Sequence, residues 1–250
     1  MPLAAMPAIT LHPSGGPDDT AAVHAAIAAI DDGGVIYFSP GTYYVNININ
    51  SPAKSFSLVG IGGPDHTILN GDTTGDETGD GSVVTIRDTH SLAAPITLEG
   101  FTLTNGAHTF GGGLNNDRAS TIVTNCVFRD NTASSGGAGM ANYQSAPVVT
   151  SCTFVDNSAS SPGSDGGGMY NAQSQPRISS CIFEGNVAQD EGGAIVNASG
   201  SSLFVVNTSF VGNSAYNGGA IHFFNSVTVT IEYCTISGNR AENDGGGINA

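Results

Sequence analysis

Along the second half of the chain, apolar and polar residues alternate in short runs that return at a nearly constant interval. Phe128, Phe154, Phe183, Phe210 and Ile236 each stand three residues before an asparagine and five before an alanine. The asparagines, Asn131, Asn157, Asn186, Asn213 and Asn239, fall 26, 29, 27 and 26 residues apart. Val123, Val149, Ile178, Val205 and Ile231 precede the aromatic column by five residues, and Cys126, Cys152, Cys181, Thr208 and Cys234 precede it by two. After a variable loop comes a glycine pair, then Leu114, Met140, Met169, Ile195, Ile221 or Ile248.

Side chains alternate across a strand, so the Cys and Phe columns share one face. The Val/Ile column lies three residues before Cys, which breaks the alternation and predicts a bend between two short strands. A third strand follows the glycines. Three strands in a repeat of this length describe a parallel β-helix in which like residues stack on like. The recurring asparagines then form a ladder, because Asn tolerates left-handed backbone and its amide both donates and accepts. Asn116, Asn142, Asn171 and Asn197 predict a second, partial ladder that ends at Phe223. The glycines supply positive φ and close backbone approach.

The first third reads as the closing end of the same solenoid. Asp18 and Asp19 are placed to cap a helix over about 20–30, whose Val23, Ile27 and Ile30 form one stripe over the open core. Strand-like runs follow at Gly34 to Phe38, Thr42 to Ile49, Ser55 to Ile61, Val83 to Arg87 and Ile96 to Leu103. The expectation is one all-β domain over 1–250 with eight or nine coils. Its parts are a cap over 1–33, irregular first coils over 34–105 and regular repeats over 106–250 that continue past the last residue.

The run from Asp18-Asp19-Thr20 through an Ala-rich helix to Gly33-Gly34-Val35-Ile36-Tyr37-Phe38-Ser39-Pro40-Gly41-Thr42-Tyr43 resembles the opening segment of the right-handed parallel β-helix, or pectate-lyase-like, superfamily. The later F-x-x-N and G-G-A-I repeats resemble those of chlamydial polymorphic outer membrane proteins and related bacterial surface proteins. The resemblance implies the right-handed sense of the coil and a secreted or cell-surface bacterial setting. It leaves function open, because one fold hosts many activities.

Charge narrows the partners. Twenty-one acids against six bases give a formal net charge of -15, which disfavours nucleic acid and anionic membranes. Polyuronates are disfavoured unless a cation bridges them, whereas neutral polysaccharides and surface proteins stay open. No apolar run is long enough for a transmembrane helix. The first residues lack the pattern of a signal peptide, and the chain stops just after a new Gly-Gly-Gly-Ile. The expectation is a piece of a longer protein whose targeting signal and further coils lie outside it.

The candidate chemistry is sparse. Four cysteines share one repeat position, where parallel side chains are poorly aimed for a disulfide, so they are expected to be buried thiols. The loop at 71–81 carries Asp72, Asp76, Glu77 and Asp80, a set of hard oxygens suited to Ca2+. Its spacing matches neither an EF-hand nor a calcium β-roll, and a solvated excursion is the plainer reading. No cofactor is otherwise required. A second acidic set, Asp165, Asp190, Glu191, Glu242 and Asp244, precedes the glycine motifs and is expected to line one edge, as many solubilising stripes do.

Arg118, Arg129 and Arg177 are the bases of the middle coils, and none sits in a lyase signature. Among glycosidase signatures, only the Asp-Asp pairs at 18–19 and 31–32 occur, in the cap and the turn after it. Alternation makes Asn115, Ala141, Tyr170, Val196, His222 and Asn249 an outward row. There Tyr170 and His222 are candidate sugar contacts, with Arg177 a third candidate. His12, His24, His66, His90 and His108 show no metal-ligand spacing. The reading is a β-helix of adhesin or structural type that contacts glycans or proteins along its surface; the alternative is a polysaccharide lyase or glycoside hydrolase.

Overall fold

The computed structural model describes residues 7–225 and 228–250. Among them, every strand pairing is parallel, and the strands assemble into four sheets of nine, eight, six and eight members running along one axis. One regular coil shows the path. Thr121–Thr124 lies in the first sheet, Val127–Arg129 in the second, Thr132–Gly136 in the third and Met140–Tyr143 in the fourth. The next coil repeats it in register: Val123 sits beside Val149, Phe128 beside Phe154, Ala133 beside Ala159 and Met140 beside Met169.

The regular coil thus has four strands where the sequence pattern predicts three. The extra strand is the Asn-x-Ala segment, too short and small-sided to show periodicity of its own. In the first third, the expected run at Thr42 to Ile49 divides into Gly41–Tyr44 and Ile47–Asn50, and that at Ile96 to Leu103 into Ile96–Glu99 and Thr102–Thr104.

Each division is a corner, and in the regular coils each corner holds one left-handed residue. Asn125, Ser151, Ser180 and Asn207 turn the first corner, with φ between 51° and 54°. Asp130, Asp156, Gly185 and Gly212 turn the second, immediately before the ladder asparagines, which themselves do not have positive φ. The ladder asparagines are there for their amides, and the backbone role expected of them belongs to their neighbours. At the third corner the residue is always glycine: Gly111, Gly137, Gly166, Gly192, Gly218 and Gly245. A Cβ on Gly192 would lie 2.3 Å from the Ile195 carbonyl oxygen and 2.6 Å from Val196 Cγ2, so sterics as well as φ exclude a side chain.

The interior is a continuous apolar column. Phe128, Phe154, Phe183 and Phe210 are fully buried and stack at centroid separations of 4.6, 4.5 and 5.1 Å, close to the strand spacing. Cys126, Cys152 and Cys181 are buried and all four thiols are free. Hydrogen bonding between neighbouring thiols, together with burial, pushes Cys152 and Cys181 well above the usual thiol range, as suits inert packing groups.

Both ladders are present. Asn131, Asn157, Asn186 and Asn213 each donate Nδ2 to the next Oδ1 at 2.9–3.0 Å. The second ladder links Asn116 to Asn142 and Asn142 to Asn171, and then Asn171 turns its Nδ2 to the Val196 carbonyl. The helix runs Thr20–Ala29 and lays Val23 and Ala26 into the core, with Ile30 just beyond it. Asp19 is its N-cap residue, yet its carboxylate accepts the Ser14 and Tyr44 amides, pinning the cap to the first coil rather than capping the helix.

Candidate functional site

The outer face of the fourth sheet carries the row singled out by alternation, and Asn115, Ala141, Tyr170, Val196, His222 and Asn249 are in register. The row is not the open surface that alternation implies. Asn115, Ala141, Val196 and His222 are 8%, 4%, 1% and 7% exposed, and Tyr170 is half-buried. The cause is the left-handed glycine corner, which folds the end of the third sheet against this row. Gly136 packs against the Tyr170 ring and Gly218 against His222 Cβ.

A groove of about 510 Å³ runs in the angle between the two sheets. Phe110 and His108 form one wall. Tyr170, Asn115 and Ala141 line its depth, and Asp117, Tyr143, Ala172 and Gln173 the opposite side. Its lining spans the coils from Arg87 to Ser199, about 19 Å at the ~4.8 Å rise of stacked strands. Phe110 and Tyr170 tilt together at 5.7 Å, while Phe110 and Tyr143 remain 39% and 45% exposed. Aromatic faces with amides and a carboxylate interspersed suit a ligand that is apolar on its faces and hydroxylated at its edges.

One end of the groove is braced by charge. Arg118 Nε meets Asp88 at 2.6 Å and its Nη1 meets Asp117 at 3.0 Å, with Arg87 3.9 Å from the same Asp117. The Arg118 hydrogen bond holds Asp88 below its ordinary carboxylate range. Arg118 is therefore engaged in a structural pair.

Beyond Tyr170 lies a second set of groups. Gly136 pairs with Asp165, and Glu191 pairs with Asn217, extending the third sheet. The Glu191 amide donates to Asp165 Oδ1 at 3.2 Å. His222 Nε2 lies 3.3 Å from Glu191 Oε2, and its Nδ1 is buried without a partner. Burial first, then the charges of Glu191 and Asp190, push Asp165 up to about 7. Burial, Asp165 and Glu191 also raise the Tyr170 phenol. Tyr170 thus stands between the aromatic groove and a cluster of acids.

The other candidates fall apart spatially. Arg177 is exposed on the first sheet with its guanidinium 5.6 Å from the Phe204 ring centroid, away from Tyr170 and His222. His222, expected to face a sugar openly, is instead buried against Glu191. In the acidic loop, Asp72 accepts the amides of Gly75, Asp76 and Glu77, Asp80 accepts those of Thr73 and Thr74, and Asp76 accepts that of Thr78. These carboxylates fold the loop on itself. Among the described residues, no group of three or more His, Cys, Asp or Glu side chains is arranged to hold a metal ion.

Phe110, Tyr143 and Gln173 were not reached from the sequence as site residues. Tyr143 had a signal, since it lies two positions past Ala141 and so on the same face. Phe110 had none, because its place in the groove depends on the third sheet folding over the fourth.

A parallel coil with this lining defines a repetitive scaffold bearing a lateral groove. The family model described as right handed beta helix region matches residues 65–250, and the chain belongs to that family. No curated protein sequence matches it significantly. Among solved structures, it is similar to the pectin methylesterase from Aspergillus niger, at 12% identity over 95% of this chain and 88% of that one, with a TM-score of 0.47. It is also similar to ORF18 of Geobacillus virus E2, at 16% identity over 90% of this chain and 50% of that one, with a TM-score of 0.41. Likeness at this level says nothing of chemistry.

Proposed function

We propose that the chain is a glycan-binding β-helix of adhesin or structural type, presented at a cell surface or secreted, with a polysaccharide lying in the groove between the third and fourth sheets. One observation carries this: the 510 Å³ groove combines the Phe110, Tyr143 and Tyr170 rings with the polar edges of Asn115, Asp117 and Gln173. Rings give a sugar face its apolar contact, and amides and carboxylates take its hydroxyls. No cofactor enters this reading.

The test is an oligosaccharide array followed by titration calorimetry on the best ligand. Tyr143→Ala is expected to weaken binding about tenfold, in line with the loss of one aromatic contact. Tyr233→Ala, a change at an exposed ring outside the groove, should leave it unchanged. Equal effects of the two changes would remove the groove from the account.

A second reading, cleavage of the polysaccharide, is favoured by Asp165, a carboxyl close to the groove-lining Tyr170 and pushed up to about 7 by burial and by the charges of Glu191 and Asp190. Incubating the bound oligosaccharide with the protein and assaying new reducing ends or unsaturated product decides it. Product lost in Asp165→Asn supports cleavage, and an intact ligand leaves binding alone.

A further inference from the structure

Two outward rows of the fourth sheet part company past Tyr170. On its own row the next members, Val196 and His222, are buried against the glycine corner, which closes the groove there. The row beside it continues. It runs Arg87, Asp117, Tyr143, Ala172, Ala198, Phe224, each in register with the next. The groove uses the first four of these and reaches Ser199, on the coil of Ala198. Phe224 stands on the coil after, its carbonyl accepting the Ser199 amide at 3.1 Å. Alternation fixes its sense: Ile221 lies in the core, Phe223 packs against it, and Phe224 faces out, 54% exposed.

We infer that the binding surface continues from the groove to Phe224, a distal ring for sugar stacking, and that its ligand is an uncharged polysaccharide lying along the solenoid axis. This rests on the glycan reading of the groove and specifies its ligand class. Tyr143 and Phe224 are three strand steps apart, ~14 Å at the ~4.8 Å rise. Ala172 and Ala198, between them, are too short to interrupt a chain, and Ala172 already lines the groove. Beside the row, Gln173, Ser199 and Asn225 follow one another at the corner, all exposed. An apolar track edged by amides and a hydroxyl repeats the chemistry of the groove. Past Asp117 neither line carries a charge, so an anionic chain would meet no counter-charge there while crossing the field of a protein of net charge -15.

The probes are β-1,4-linked hexasaccharides of glucose, mannose and xylose with the matching disaccharides, titrated calorimetrically, and a hexagalacturonate as the charged chain of equal length. A disaccharide is shorter than the distance between the two rings, and a hexasaccharide is longer. The best neutral hexasaccharide is expected to bind at least tenfold more tightly than its disaccharide and than the hexagalacturonate. Phe224→Ala should cost the hexasaccharide about tenfold and leave the disaccharide unchanged, Phe224→Tyr should keep both affinities, and Tyr143→Ala should weaken both. A hexasaccharide advantage that survives Phe224→Ala would overturn the extension while leaving the groove standing. An equal loss for both lengths in Phe224→Ala would show a general disturbance and overturn it too. Tighter binding of the hexagalacturonate would overturn the ligand class. If none of the oligosaccharides binds, the groove reading fails first and takes the extension with it.

Discussion

Asn186 receives two hydrogen bonds on Oδ1, from the backbone and side-chain amides of Asn157, and returns two from Nδ2, to Phe154 O and Asn213 Oδ1. All four lie in a fully buried position. Asn186→Ala leaves donors and acceptors on both neighbouring coils unpaired, and a loss of about 3 kcal/mol or more is expected in urea unfolding. Asn186→Asp should be worse, since a buried carboxylate would face the Phe154 and Asn213 oxygens. At Asp165 the sign is opposite. Its folded pKa is raised to about 7 from the ordinary aspartate value of 3.8, so between those limits the native state binds the extra proton. Stability therefore falls as pH rises through that window and levels off above it. Asp165→Asn should raise the melting temperature at pH 8 and change it little at pH 4; equal effects at both would contradict this assignment.

At the scale of the element, the acidic loop makes the sharpest case. Asp72 is buried and holds three backbone amides at 2.7–3.2 Å, so Asp72→Ala should destabilise by about 2 kcal/mol in thermal or urea unfolding. Millimolar calcium should not shift the melting temperature. A shift that vanishes in the double variant Asp76→Asn, Asp80→Asn would support a cation site in this loop. This loop also shows where the sequence stops informing. Apolar periodicity carries the strands, the stacked Phe column and both ladders, because burial forces like residues into register. The use of a carboxylate is not periodic, and composition cannot tell a self-capped loop from an open cradle. Tyr170 was legible because alternation sets its face. The covering of His222 was not, because it depends on a corner that swings a four-residue strand back over its neighbour. Arg177 is on another sheet from Tyr170 although only seven residues separate them, since the chain turns a corner in between.

For the whole molecule, a net charge of -15 on a slender coil means self-repulsion that scales with Debye length. Moderate sodium chloride is expected to raise the melting temperature over the range where screening tightens. A flat or falling response would show that local pairs such as Arg118 with Asp88 outweigh the long-range field.

The first amide ladder has a sense of direction. Every Oδ1 from Asn157 to Asn239 faces the coil before it, and every Nδ2 from Asn131 to Asn213 reaches the coil after it. The side-chain dipoles are therefore aligned head to tail and polarise one another. No single amide can flip without confronting oxygen with oxygen on one side and nitrogen with nitrogen on the other. The column is thus a one-way thread through the solenoid: any coil stacked on it must adopt the same orientation, and its two ends are chemically unlike.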